Sequence, residues 1–299
     1  MVEQKNIPNR IFDAVNVIIL LILAAVCLYP MLHVVFGSFS EPALLSSHTG
    51  FLLKPLGFTL KGYEIVFQNP NIWSGYANTL FYVIVGTLLR IFMTMLGAYV
   101  LSQKTFLLRR VFMMFFVFTM YFGGGLIPDY LLVTRLGLLN TRWALIIPSL
   151  IATWNMIILR TAFSQVPASL EESARLDGAG DMTILFRIFL PTCKASIAVI
   201  IMYYAVGEWN SWFSAAIYLP ARRDLYPLQL FLREILIANS SGGNTTGAIG
   251  SSDPDIVAAL IEEVVRYSTI CIATIPILCA YPFIQKYFVK GVMMGSIKE

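Results

Sequence analysis

Residues 167–191 read Pro167-Ala-Ser-Leu-Glu-Glu-Ser-Ala-Arg-Leu-Asp-Gly-Ala-Gly-Asp-Met-Thr-Ile-Leu-Phe-Arg-Ile-Phe-Leu-Pro191, a charged island between two apolar stretches of membrane-crossing length. Pro167 suits a helix start, Ser169 suits an N-cap, and Glu171 and Glu172 then fall in the first turn, where the helix dipole favours carboxylates. Spacings of three and four put Leu170, Ala174 and Asp177 on one face and Glu171, Arg175 and Gly178 on another. Gly178 and Gly180 end the helix, and the apolar run 184–190 stops at Pro191. The expected shape is a short helix along a membrane surface, a bend, and re-entry into the next span. A helix that is small on one side and acidic at its start fits a groove on another protein, and a glycine at 178 lets a partner backbone come close. The plainer alternative is an ordinary loop between spans that happens to be helical.

Composition bounds the class. Of 299 residues 58% are hydrophobic and only 13% charged, with a mean hydropathy of +0.74; a soluble domain carries about a quarter charged. An all-α integral membrane protein is expected. The formal net charge of +4 is small and scattered, with no basic run of the kind that binds nucleic acid. Cys27, Cys193, Cys271 and Cys279 read as small apolar residues, and neither they nor His33 and His48 have metal-ligand spacing. No metal site is expected.

Crossing the hydrocarbon core takes about 20 apolar residues, and six stretches qualify: 11–36, 78–101, 111–132, 144–163, 195–219 and 268–288. The first is too long for a signal-peptide core and has no small-x-small cleavage site before Ser38, so it is expected to stay as an anchor. An even number of spans puts both termini on one side. That side collects Lys5, Arg10, Lys104, Arg109, Arg110, Arg160, Arg175, Arg187, Lys194, Lys286, Lys290 and Lys298. The other has fewer: Lys54, Lys61, Arg135, Arg142, Arg222, Arg223, Arg233 and Arg266, in loops rich in carboxylates. The excess marks the cytoplasm, so both termini and the island are expected there.

Residues 37–77 and 220–267 then form external loops. The second contains the Gly/Ser/Asn-rich tract 239–253, which reads as a mobile tip, held by short amphipathic helices over 228–237 and 255–265. Three regions result: 1–77 with the first span and loop, a five-helix core over 78–288, and a tail over 289–299. The glycines 123–125, in the third span, suit close packing or a bend.

The skeleton Glu172-x-Ala174-x3-Gly178-x9-Ile188-x-Leu190-Pro191 resembles the cytoplasmic coupling loop of the permease subunits of bacterial ATP-binding-cassette importers. The wider chain resembles the carbohydrate-uptake branch, the second permease of maltose-type importers, and within it the group holding the Bacillus lipoprotein-operon and pectin-oligosaccharide permeases. The carrying stretches are Asn78-Thr-Leu-Phe, residues 120–128, 136–143, Gly207-Glu-Trp-Asn-Ser-Trp212 and 288–298, besides the island. One departure is Glu172-Ser173-Ala174, where the family has Glu-Ala-Ala; Ser for Ala should leave docking intact.

The resemblance implies the type I importer fold and a transport subunit rather than an enzyme, in a bacterial cell membrane. It also implies the partners: a related second permease, two ATPase subunits and an extracytoplasmic solute-binding protein. Glu171, Glu172, Ser173, Ala174, Asp177 and Gly178 become ATPase-docking residues. Gly291, Gly295 and Lys298 become a second contact from the tail, and Ser240, Gly242, Gly243 and Asn244 face the binding protein. No Gly-x4-Gly-Lys-Ser/Thr occurs in the chain, so ATP and Mg²⁺ are expected on the partner ATPases, with no cofactor here.

Charges inside spans are costly and call for a role. Glu208, expected midway along the fifth span beside Trp209, Asn210 and Trp212, has two readings: these four residues line a sugar pathway, or Glu208 pairs with Arg90 or with the second permease. A secondary transporter would need an ion site or inverted repeats, and a membrane enzyme clustered catalytic groups; neither pattern is present. The same machine carrying a non-sugar solute remains the nearest alternative.

Overall fold

The computed structural model describes residues 7–238, 261–279 and 281–282. Its regular elements there are helices, with one isolated antiparallel bridge between Ser40 and Phe58. The chain gathers into two compact units, Met1–Asn69 with Leu232–Thr274 and Pro70–Phe231 with Ile275–Glu299.

In the first unit, helix α1 (Ile7–Ser38) includes an unbroken membrane-length apolar segment, Ile11–Ser38. Its side chains, Ile18, Leu21 and Val26 among them, are exposed, as lipid-facing residues must be. Ser40 turns the chain after it, its Oγ donating to the Phe36 carbonyl at 2.7 Å and accepting the Leu56 N–H at 3.0 Å. Residues 261–279 are helical, and Val264 packs with Leu45 and Leu52 in a small core.

The second unit carries the larger core. Helix α2 (Pro70–Phe81) runs on through a π-helical turn, Tyr82–Gly86, into α3 (Thr87–Ser102). The expected span began at 78; the helix begins eight residues earlier by its own bounds, because Pro70 is preorganised for a first helical position. Helix α3 packs on α6 (Thr153–Phe163) and α8 (Lys194–Trp209). Ile91, Met95 and Ala98 meet Met156, Leu159, Ile197 and Ile200 between them.

Three of the expected spans are broken. The third divides into α4 (Arg109–Tyr121) and α5 (Leu126–Arg135), bent by 114°. Gly125 takes φ 89°, a conformation that side chains disfavour, so the glycine run is a corner. At 1.5 Å per residue α4 alone is about 20 Å long, short of a roughly 30 Å core. The fourth bends by 51° between Trp143–Ser149 and α6. In the fifth, α8 ends at Trp209 and helix resumes only over Phe213–Tyr218. Asn210 explains that stop: its Nδ2 donates to the Val206 carbonyl at 3.0 Å, a side-chain bond that competes with helix continuation. The expected short helix over 228–237 is present as Leu228–Ala238.

Candidate functional site

The island forms α7 (Ala168–Leu176), and Pro167 occupies its cap position. Ser169, expected as N-cap, therefore lies inside the first turn, because proline before Ala168 already sets an extended entry with φ −58° and ψ 130°. Glu171 does fall in the first turn. Its carboxylate takes two bonds from Arg175, from Nε at 3.2 Å and Nη2 at 2.9 Å, and Arg175 also reaches Asp181 at 2.7 Å. Those bonds, first to Glu171 and then to Asp181, push the Arg175 guanidinium above its ordinary pKa.

The helix end is built around Gly178. Its φ is +80°, its N–H donates to the Arg175 carbonyl at 3.0 Å, and the next N–H, of Ala179, returns to Ala174 at 2.9 Å. This pair of bonds closes a helix end on a left-handed glycine. A Cβ at Gly178 would meet nothing within 4 Å. The glycine has a local reason to be there, and it also leaves an open surface.

Of the docking residues read from sequence, Glu172, Ser173, Asp177 and Gly178 are exposed, while Glu171 and Ala174 are half-buried, Ala174 leaning on the core. Leu176 projects into solvent, 90% exposed. A cleft of ≈ 230 Å³ opens beside them, with Lys104 on one wall and Ala168, Glu171 and Glu172 on the other. After Gly180 the chain enters Asp181–Ile184 and a π-helical turn, Leu185–Phe189. Ile184, Leu185 and Phe189 are buried there, and the Phe189 ring meets Tyr99 and Phe163 edge-on at 5.1 and 5.4 Å.

The second charged feature lies in the helices. Arg90 Nη1 donates to Glu208 Oε1, and Arg90 Nη2 donates to the Leu145 carbonyl at 3.1 Å and to Ser149 Oγ at 2.6 Å. Both side chains are nearly enclosed, 5% and 10% exposed. Glu208 lies in the last turn of α8, not midway along a span. Trp209 beside it is buried against Tyr76, ring centroids 6.1 Å apart; Asn210 is exposed and Trp212 half-exposed. Ser240, Gly242, Gly243 and Asn244, and Gly291, Gly295 and Lys298, lie outside the described residues.

Sequence reading passed over two further polar pairs, in which Asn78 bonds Arg142 at 2.9 Å and, farther along the same helix, Thr94 bonds Tyr204 at 2.7 Å. The signal was available: polar residues at 78, 79 and 94 stand inside an apolar helix, where each must find a partner.

Among the described residues the chain is helical, with helices apolar enough to span a membrane and a charged helix displayed outside its core. The chain belongs to the family described as binding-protein-dependent transport system inner membrane component, which matches over residues 105–294. It is 39% identical over 290 residues to the polygalacturonan/rhamnogalacturonan transport system permease protein YtcP of Bacillus subtilis, covering 97% of this chain and 99% of that one. It is 37% identical to protein LplC of the same organism, covering 97% and 96%. Among solved structures, a bacterial ABC transporter involved in the import of the acidic polysaccharide alginate superposes with a TM-score of 0.84 at 33% identity, over 95% of this chain and 98% of that one. The fold is the type I importer permease fold. The chain is a permease subunit, not an enzyme; the ATPase is separate. Permeases of this family work with a second permease, ATPases and a solute-binding protein.

Proposed function

We propose that this chain forms half of the membrane pathway of an ATP-driven bacterial importer, carrying an oligosaccharide handed over by a solute-binding protein. The observation that carries the reading is the displayed helix Ala168–Leu176, in a chain 39% identical along nearly its whole length to a polygalacturonan/rhamnogalacturonan transport system permease protein. The substrate class is supported by that relative, and by the alginate importer among similar structures.

In the proposed topology six segments cross the membrane and both termini are cytoplasmic. The two long helices and three bent pairs supply five of the segments, and residues 268–288 the sixth. The excess of Lys and Arg on the island's side supports the orientation. The island then docks into an ATPase subunit through Glu171, Glu172, Ser173, Ala174, Asp177 and Gly178. The tail residues Gly291, Gly295 and Lys298 make a second contact, and Ser240, Gly242, Gly243 and Asn244 face the binding protein. ATP and Mg²⁺ are held by the ATPases. Asn210 and Trp212, the more open pair beside α8, line the sugar path, with Trp209 behind them and Glu208 fixing the helix end through Arg90.

A mild-detergent pull-down of the tagged chain from native membranes, followed by mass spectrometry, tests the reading. Recovery of a P-loop ATPase and a second permease is expected. A chain recovered alone, or as a homodimer without an ATPase, would defeat it.

A further inference from the structure

Three polar side chains on α2 and its π-helical continuation reach into one stretch of chain, residues 219–228. Asn78, 3% exposed, donates through Nδ2 to the carbonyls of Asp224 at 2.7 Å and Tyr226 at 3.1 Å. The Thr79 hydroxyl accepts the Leu228 N–H at 2.8 Å, and the Tyr82 hydroxyl donates to the Leu225 carbonyl at 2.8 Å. Arg142 completes the set, donating to Asn78 Oδ1 at 2.9 Å while its guanidinium lies 4.6 Å over the Phe81 ring. A Cβ at Gly75 would stand 3.0 Å from Leu228 Cα, so helix and segment touch backbone to backbone.

On the segment's side all of these bonds go to main-chain atoms. The path of the segment is therefore fixed by its main chain as well as by Leu219, Leu225 and Leu228, which are buried, while Arg222 and Asp224 pair with each other at 2.8 Å and remain about half exposed. Apolar packing of Leu219 and Leu225 anchors the segment but is not directional; hydrogen bonds from buried amide and hydroxyl groups to its main chain add the geometric demand that selects one conformation. Residues 219–228 lead directly into helix Leu228–Ala238.

We infer that Asn78, Thr79, Tyr82 and Arg142 are positioning residues that lock residues 219–228 into one path, so that this segment, with its exposed Arg222–Asp224 pair, meets the solute-binding protein in a preset arrangement. The inference rests on the proposed function, since it needs a binding protein on that face.

The test uses the complete importer in nanodiscs and its solute-binding protein purified from native cells with the natural solute bound, reading ATP hydrolysis with and without that protein. Thr79→Val keeps shape and removes the acceptor. One buried unsatisfied donor shifts the clamped-to-released equilibrium about tenfold toward release, so stimulation by the binding protein should fall while the unstimulated rate holds. Thr79→Ser should restore stimulation, and Asn78→Ala should behave as Thr79→Val does. Normal stimulation of both disruptive variants overturns the inference. So does a proportional fall in both rates without rescue by serine, which is the mark of a merely structural role. If the unmodified importer does not respond to its binding protein, the functional reading fails and the inference falls with it.

Discussion

Gly178 separates a local from an intermolecular reason for one residue, and three substitutions distinguish them. The backbone there has φ +80°, where a residue with a Cβ pays roughly 1–2 kcal/mol. Nothing lies within 4 Å of an added Cβ, so within this chain alanine meets no clash and its whole cost is conformational. That cost bears on the two closing bonds, Gly178 to Arg175 and Ala179 to Ala174, and at about 1.4 kcal/mol per factor of ten it shifts the equilibrium between closed and frayed helix end about five- to thirty-fold toward fraying. Asparagine tolerates the left-handed region better than alanine but is larger. If glycine is there only for the turn, transport should rank Gly178→Asn above Gly178→Ala. If an ATPase backbone approaches this surface, Gly178→Asn and Gly178→Asp should transport no better than Gly178→Ala, although both keep the helix end better closed. Sugar uptake into proteoliposomes, with chain abundance measured on the same membranes, reads both effects. Near-normal uptake by the Asn variant beside a defective Ala variant would refute the close-approach reasoning.

Glu172→Lys changes an exposed side chain, so membrane abundance should stay within about 0.5 kcal/mol of unmodified stability while uptake falls; equal uptake would remove Glu172 from the docking set. Arg90→Met alone strands Glu208 and should cost about 3–5 kcal/mol, whereas Arg90→Met with Glu208→Leu should recover much of it; thermal unfolding in detergent checks the ranking, and a double variant worse than the single would contradict it. Phe189→Ala removes the buried ring between Tyr99 and Phe163 and should cost about 3–5 kcal/mol, with Phe189→Leu much closer to the original chain; unchanged melting of the alanine variant would show that the ring bears no load.

The island was legible because a chain this apolar has few ways to hide charge, so Glu171, Arg175 and Gly178 at helical spacing marked a surface helix with a defined end. Helix Leu228–Ala238 was legible for the opposite reason, its polar residues alternating with apolar ones at a helical period. The breaks at 122–125 and 210–212 were not, since a helix apolar on every face carries no periodic signal to interrupt. Glycine at 123–125 announced that a bend was possible without giving its angle. The clamp was hidden by distance and by chemistry together: Asn78 and Asp224 are 146 positions apart, and a bond to a main-chain carbonyl leaves no complementary side chain to notice. Arg90 and Glu208 were recognisable as costly, but only the folded helices bring Ser149 and the Leu145 carbonyl to the same guanidinium.

The two charged features divide the labour that a coupled permease requires. Arg90 spends the donors of its two Nη atoms inside the chain, joining α3 to the Trp143–Ser149 segment and, through Glu208, to α8; breaking a pair so enclosed is costly. Glu172, Asp177 and Leu176 point outward instead. Between the two lies Phe189, nine residues past Gly180, wedged against a ring from α3 and a ring from α6. A displacement of the island helix therefore has a packed route into α6 and into α3, the helix from which Arg90 reaches its partners. Close-packed interiors pass on such a push and do not absorb it, so a push on the island helix would reach α3 and α6 through the Phe189 ring.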